Sequence, residues 1–307
     1  MRQSLAIHAP AKLNLALSVG TPNAQGMHPI CSWMVTVNLF DDLLVTRLED
    51  DRLSRYAILW HADAKRRSDI NWSITRDLAV RAHLALEQHA GHPLPVQLKL
   101  EKRIPVGGGL GGGSSDAAAM LRAVNELFGL GLSLEELAAV GASLGSDVPF
   151  LVRGGSAIVQ GIGDQITHHE DVPSLHAVIA FPQASCPTAR VYGHFDESLP
   201  QRNGAAIRAD AVAALVRNAV QGSLNSEMLF NDLARPAIKS APQLEDDLAS
   251  LSALAERPAH VTGSGSSLFV MCDNQVHAMT LADAVERTLH LPAVAAQTCS
   301  VPHHAPV

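Results

Sequence analysis

Between Ile104 and Met120 the chain reads IPVGGGLGGGSSDAAAM. Six of the seven residues 107–113 are glycine, followed by Ser114, Ser115, Asp116 and three alanines. Glycine loses more backbone freedom on folding than any other residue, so such a cluster must serve something. Its flanks say what. Upstream, VQLKLEKRI (96–104) alternates apolar and polar residues and predicts a strand. Downstream, Ala117, Met120, Leu121, Val124, Leu127 and Phe128 form one helical stripe that stops at Gly129. The glycines therefore sit between a strand and the start of a helix.

A helix N-terminus carries unpaired N–H groups and a partial positive charge, which favour anions. Glycines let the backbone wrap phosphate oxygens closely. Ser114 and Ser115 are suited to capping this helix or giving hydroxyls to a phosphate. A Walker loop would need G-K-[ST], and no lysine follows these glycines. A dinucleotide fingerprint fits Gly107–Gly112 only by force, without an adequate βαβ unit or an acidic partner. A flexible hinge does not suit a place between a regular strand and a well-patterned helix.

Working outward, every odd position from Leu5 to Val19 is apolar, the period of a strand with one buried face. Pro10 is expected to split this run in two. Lys12 and Asn14 share the opposite face. A helix is predicted over 76–90, ending at Gly91. Ser133 and Glu136 form a capping box opening a helix that ends at Gly145. Later helices are expected at 243–257 and 275–290, alternating with the strand-like SAIVQG, HAVIAFP, SSLFVMC and AVAAQTCSV. The pattern is α/β (α+β). A lobe boundary is expected within 161–171, dividing the chain into 1–162 and 163–307.

Apolar residues make up 47% of the 307 and charged residues 17%, the balance of a chain with a real core. A net charge of −7 offers no basic surplus for nucleic acid. Cys31, Cys186, Cys272 and Cys299 form no C-x-x-C, so free thiols in a reducing cytoplasm are expected. No signal-like leader or long apolar run is present, and no membrane association is expected. The pairs His168-His169 and His303-His304 sit in loop-like contexts, and no protein metal site is assigned.

PAKLNLAL (10–17), IPVGGGLGGGSSDAA (104–118), LGSDVPF (144–150) and VTGSGSSLFV (261–270) together resemble the GHMP kinase superfamily, in order and over nearly the whole chain. Within it they look most like the branch that phosphorylates a cytidylyl-polyol in non-mevalonate isoprenoid biosynthesis. The resemblance implies an N-terminal ATP-binding lobe, a C-terminal ferredoxin-like substrate lobe and a cleft between them. It implies transfer of the ATP γ-phosphoryl group, with Mg²⁺, by a monomer or homodimer. Pro105, Val106, Gly107, Gly108, Gly109, Leu110, Gly111, Gly112, Gly113, Ser114 and Ser115 would wrap the phosphates. Lys12 and Asp147 would be the catalytic pair. Asn14, His28, Thr188 and Tyr192 would contact the cytidylyl substrate, with Gly263, Ser264 and Gly265 lining the same cleft.

An aspartate can take the proton of a hydroxyl nucleophile, and a lysine beside it keeps it ionised. Asp147 has a plainer alternative, capping a short helix before Pro149. Asn231-Asp232 in FNDLARP also matches the superfamily, but a turn or cap explains it and it is left out of the site. Two residues depart from the pattern. Met27 replaces the tyrosine of a Gly-Tyr-His run, leaving Tyr192 to stack the base from the other side. Asp77 replaces an asparagine expected near the adenine. Kinases of other small alcohols, such as homoserine or mevalonate, and a non-catalytic nucleotide-binding module are the alternatives.

Overall fold

The computed structural model describes residues 3–199 and 204–300; His303 and His304 lie outside them. The first sheet is built on two long strands, β1 (Ser4–Val19) and β2 (Ile30–Arg47), paired antiparallel along their whole length. The run from Leu5 to Val19 is one strand: Pro10 does not split it. The register shifts by two residues between Pro10 and Ala11, where β2 gains Asn38 and Leu39. On its other edge β1 pairs only at Ala16 and Leu17, so Pro10 takes no ladder bond away there.

β2 forks. Its C-terminal half pairs with β4 (Val96–Lys102), which carries β3 (Arg55–Trp60) in parallel on its outer side. Its N-terminal half pairs with β5 (Ser156–Gly161), which forms a hairpin with β6 (Gln165–His168). The division expected at 162/163 falls in that hairpin's turn, and both strands belong to the first sheet. The second sheet runs β11-β7-β10-β9, antiparallel throughout: β7 (His176–Ala180), β9 (Ala259–Val261), β10 (Leu268–Cys272) and β11 (Ala293–Gln297). Between them in sequence, the two-residue β8 (Phe230–Asn231) returns to β1 in the first sheet.

Helices α1 (Leu78–Ala90), α2 (Gly112–Phe128), α3 (Leu134–Ala142) and α4 (Val148–Arg153) belong to the first half. The first helix starts two residues later than expected, because Asp77 is its N-cap, accepting from Ala79 N at 2.9 Å. The capping box of Ser133 and Glu136 is present, but α3 stops at Ala142 rather than Gly145. Helices α5 (Thr188–Ser198), α6 (Ala209–Val220), α7 (Ala234–Ser240), α8 (Gln243–Ala255) and α9 (Gln275–Leu289) belong to the second half.

The apolar side chains sort into three groups. One lies between the first sheet and α1, α2 and α4, another between the second sheet and α5, α7, α8 and α9. A third joins the lobes: Leu13, Leu15, Trp33 and Val35 of the first sheet meet Ile179, Phe181 and Phe269. Each buried aromatic there is worth roughly 3–5 kcal/mol on truncation to alanine. The two sheets are thus joined by an apolar seam, and the cleft opens beside it. Among the described residues, no helix is long and apolar enough to cross a membrane.

Candidate active site

A cleft of about 530 Å³ lies where β1, the glycine loop, the start of α4, α5 and the loop after β9 converge. Lys12, Asn14, all of Pro105–Ser114, Asp147, Thr188, Tyr192, Gly263 and Ser264 line it. Three predicted residues are not in its wall. Ser115 is buried beneath it, His28 stands behind Tyr192, and Gly265 packs against the back of Gly109.

The buried Lys12 ammonium stands 3.5 Å from the Asp147 carboxylate and donates to Asn14 Oδ1 at 2.5 Å. The amide of Asn14 donates to Ser32 Oγ at 2.8 Å, which in turn donates to Ala16 O. Lys12 is thus aimed by a buried polar chain rather than left to wander in solvent. Asp147 sits at the N-terminus of α4 yet its side chain makes no cap bond, so the plain capping role is not what holds it. Its carboxylate is a quarter exposed, facing the cleft. Burial, with the Asp147 charge adding to it, pushes the Tyr192 phenol up to about 12. Tyr192 therefore stays neutral and can serve as a donor.

Most of these glycines are required by packing. Helix α2 begins at Gly112 with Gly111 at its N-cap, φ +70°, and no side-chain cap. Ser114 and Ser115 lie inside its first turn, so neither caps it. A Cβ on Gly109 would be driven into the carbonyl of Thr262 and stand 3.0 Å from Gly265 N. One on Gly111 would meet Lys12 Cγ at 2.9 Å, and one on Gly112 would meet Ile104 at the same distance. Only Gly107, at φ +71°, has open space beside it and a purely conformational need for glycine. Main-chain bonds weld the loop into place: Lys12 N to Leu110 O at 2.9 Å and Ser267 N to Gly108 O at 3.1 Å.

Pattern reasoning missed a buried cluster under this loop. Lys102 donates to Asp41 at 2.6 Å and to Asp116 at 2.5 Å. Asp41 also accepts the main-chain N–H groups of Arg103 and Ile104, which turn the chain from β4 into the loop. Burial alone would lower the Lys102 ammonium, but Asp116 and Asp41 outweigh it and hold it above the usual range. Burial pushes the Asp116 carboxyl well above the usual carboxylate range, against the pull of Lys102. Two carboxyl groups share this one cation, burial favours the neutral form of Asp116, and Asp116 Oδ1 has no partner. No spacing rule joins Asp41 to Lys102; only the pairing of β2 with β4 does.

Asn231 and Asp232 do more than shape a turn. Asn231 donates to Val261 O and Gly263 O, both at 2.8 Å, holding the third motif. Asp232 accepts from Val19 N at 2.9 Å. Segment 61–77 supplies Trp72, Arg76 and Asp77 to the cleft. It is strapped to the second lobe by Arg66, which donates to Ser266 Oγ and Ala184 O. Met27 is about half exposed and absent from the cleft wall; the ring nearest Tyr192 is His28, with centroids 4.8 Å apart. His28 pairs with Asp196 at 2.7 Å. Among the described residues, no three metal-ligating side chains converge, His168 and His169 included.

Residues 77–155 match the family model described as GHMP kinases N terminal domain. A 4-diphosphocytidyl-2-C-methyl-D-erythritol kinase from Exiguobacterium sibiricum is 34% identical over 91% of this chain and 92% of its own. A crystal structure of 4-(cytidine 5'-diphospho)-2C-methyl-D-erythritol kinase superposes with a TM-score of 0.75 at 30% identity, covering 95% of this chain and 98% of the other. A homoserine kinase from Cytophaga hutchinsonii has a TM-score of 0.71 over 100% and 98% of the two chains, but at 18% identity it shares the fold alone. Fold and cleft together define a GHMP small-molecule kinase, a class that uses ATP. With such similarity across nine-tenths of both chains, this one belongs to the family of 4-diphosphocytidyl-2-C-methyl-D-erythritol kinases.

Proposed function

We propose that the cleft transfers the ATP γ-phosphoryl group to the 2-hydroxyl of 4-diphosphocytidyl-2-C-methyl-D-erythritol through Lys12 and Asp147. The observation that carries this reading is the Lys12–Asp147 pair, 3.5 Å apart in one cleft with the glycine loop. Asp147 takes the hydroxyl proton as the phosphoryl group arrives. Lys12, fixed by Asn14, faces the charge that develops on the transferring group. The N–H groups of the α2 first turn receive phosphate oxygens, at roughly 1.5–3 kcal/mol for each charged bond.

Mg²⁺ bound with ATP would neutralise phosphate charge; Ser115 Oγ in the first turn of α2 is buried without a partner beneath the cleft wall, so it does not fit as a ligand of an ion in the cleft. Thr188, whose hydroxyl bonds Ser264 Oγ at 3.0 Å, and Tyr192 form the acceptor side. His28 orders Tyr192 from behind.

The test is ADP release with the cytidylyl substrate, homoserine and mevalonate, for the wild type and Asp147→Asn. Turnover is expected with the cytidylyl substrate only, and the variant should bind ATP normally while losing roughly 10²–10⁴-fold in kcat. A variant that keeps more than about a tenth of kcat, with chemistry rate-limiting, would remove Asp147 from the role of base.

A further inference from the structure

Arg122 lies on α2, buried to 9% exposure, with no carboxylate in ion-pair distance among the described residues. Burial pulls its guanidinium down to about 10, with no neighbouring charge opposing it. Its Nη1 donates to Leu151 O and Val152 O, both at 3.0 Å. Its Nε and Nη2 have no partner. A buried, unpaired cation is an expensive feature, and an apolar side chain of similar length would fill the same space more cheaply.

The two carbonyls it grips belong to the last turn of α4. This helix has six residues and opens from the carbonyl of Asp147, which accepts Leu151 N at 3.1 Å. So short a helix does not sustain itself, and its terminal carbonyls need outside partners. One of them, Phe150 O, is taken by Gly154 N at 2.7 Å. A cation at a helix C-terminus is also favoured by the helix dipole.

We infer that Arg122 is a positioning residue for phosphoryl transfer: by clamping the end of α4 to α2, it sets Asp147 relative to the glycine loop. Helix α2 then carries the phosphate loop at its N-terminus and, through Arg122, the helix that presents the carboxylate. One rigid element fixes the distance between nucleotide and base. Gly111 closes the same frame, since a Cβ there would lie 2.9 Å from Lys12 Cγ and 3.5 Å from Leu151. The inference rests on Asp147 being the base.

The experiment compares Arg122→Met, Arg122→Lys and Asp147→Asn, measuring kcat, the KM of ATP and Tm with ATP and the cytidylyl substrate. A shift of about 1 Å in a reacting group costs on the order of 10²-fold in rate. Arg122→Met is therefore expected to lose about 10- to 100-fold in kcat with less than a twofold change in the ATP KM. Its Tm should stay within about 5 °C, because an unpaired charge leaves together with the two bonds. Arg122→Lys keeps the charge and should recover kcat to within about threefold of wild type. Wild-type kcat in Arg122→Met overturns the inference. So does a joint loss of kcat, ATP KM and Tm that lysine fails to repair. Should the methionine variant not fold, Arg122→Gln replaces it with the same split expected. Turnover retained in Asp147→Asn refutes the base assignment; turnover lost there but untouched in Arg122→Met refutes the clamp.

Discussion

Replacing Gly109 and Gly107 separately by alanine distinguishes a loop shaped by packing from one shaped by ligand. Both have positive φ, +76° and +71°, so each variant carries the left-handed penalty of about 1–2 kcal/mol. Alanine returns about 0.4–1 kcal/mol by restricting the unfolded chain. For Gly107 nothing else is added, because its Cβ position is empty, and a net loss of about 1 kcal/mol remains. For Gly109 the new methyl meets the Thr262 carbonyl and both main-chain polar atoms of Gly265, at 3.0 and 3.1 Å. Those atoms are backbone and cannot rotate away, so an overpacking cost of about 1–3 kcal/mol applies. The total is roughly 2–4 kcal/mol. At about 2–4 °C per kcal/mol for a chain of this size, Gly109→Ala should lower Tm by about 4–16 °C and Gly107→Ala by about 2–4 °C. Scanning calorimetry gives Tm, and titration with a non-hydrolysable ATP analogue gives affinity. Gly107→Ala should weaken the nucleotide more than it destabilises the fold, and Gly109→Ala the reverse. Equal Tm values for the two variants would refute the packing argument.

The two carboxyl groups buried under the loop should respond oppositely to amidation. Asp116→Asn should raise Tm at pH 7, because burial raises the Asp116 pKa and the ionised form is the destabilised one. The stability linked to Asp116 is present below its unfolded pKa and is lost as pH rises toward the folded value. The gain should therefore vanish below about pH 4, near the unfolded carboxylate pKa; a gain unchanged across a pH series of melts would contradict this. Asp41→Asn should instead destabilise by about 3–5 kcal/mol in denaturant titration, since it breaks a buried pair and strains two main-chain bonds. Asn231→Ala leaves the carbonyls of Val261 and Gly263 unpaired, and a raised KM for the cytidylyl substrate together with a lowered Tm is expected, read by steady-state kinetics and thermal melts. Tyr192→Ala should raise the KM of the cytidylyl substrate by about 10-fold or more, as loss of a stacking ring costs about 1–3 kcal/mol. Met27→Tyr should change that KM little, because Met27 is half exposed and not in the cleft wall.

Much of the architecture was written in local pattern. Alternation in β1 and β4, the stripe of α2, the capping box of Ser133 and three strands of the second sheet, β7, β10 and β11, are short-range signals, each within a few residues of its cause, whereas β9 carried no such signal. The glycine-serine stretch marked a strand-loop-helix junction for the same reason. The convergence of Lys12, Asp147, Thr188 and Gly263 in one cleft came from resemblance and not from spacing, since these residues are far apart in the chain.

Tertiary structure alone decided why each glycine is needed, because steric demand at Gly109 comes from Thr262 and Gly265, some 150 residues away. Whether a strand tolerates Pro10 depends on which edge is paired, and that is settled by β8, more than 200 residues on. The same holds for Asp41, Lys102 and Asp116, whose charges meet only after β2, β4 and α2 have packed. Arg122 gains a partner only where α4 packs against α2 and places two carbonyls beside it. Sequence periodicity encodes which face of an element is buried. It does not encode what that face is buried against, and the chemistry of this cleft lives in those contacts.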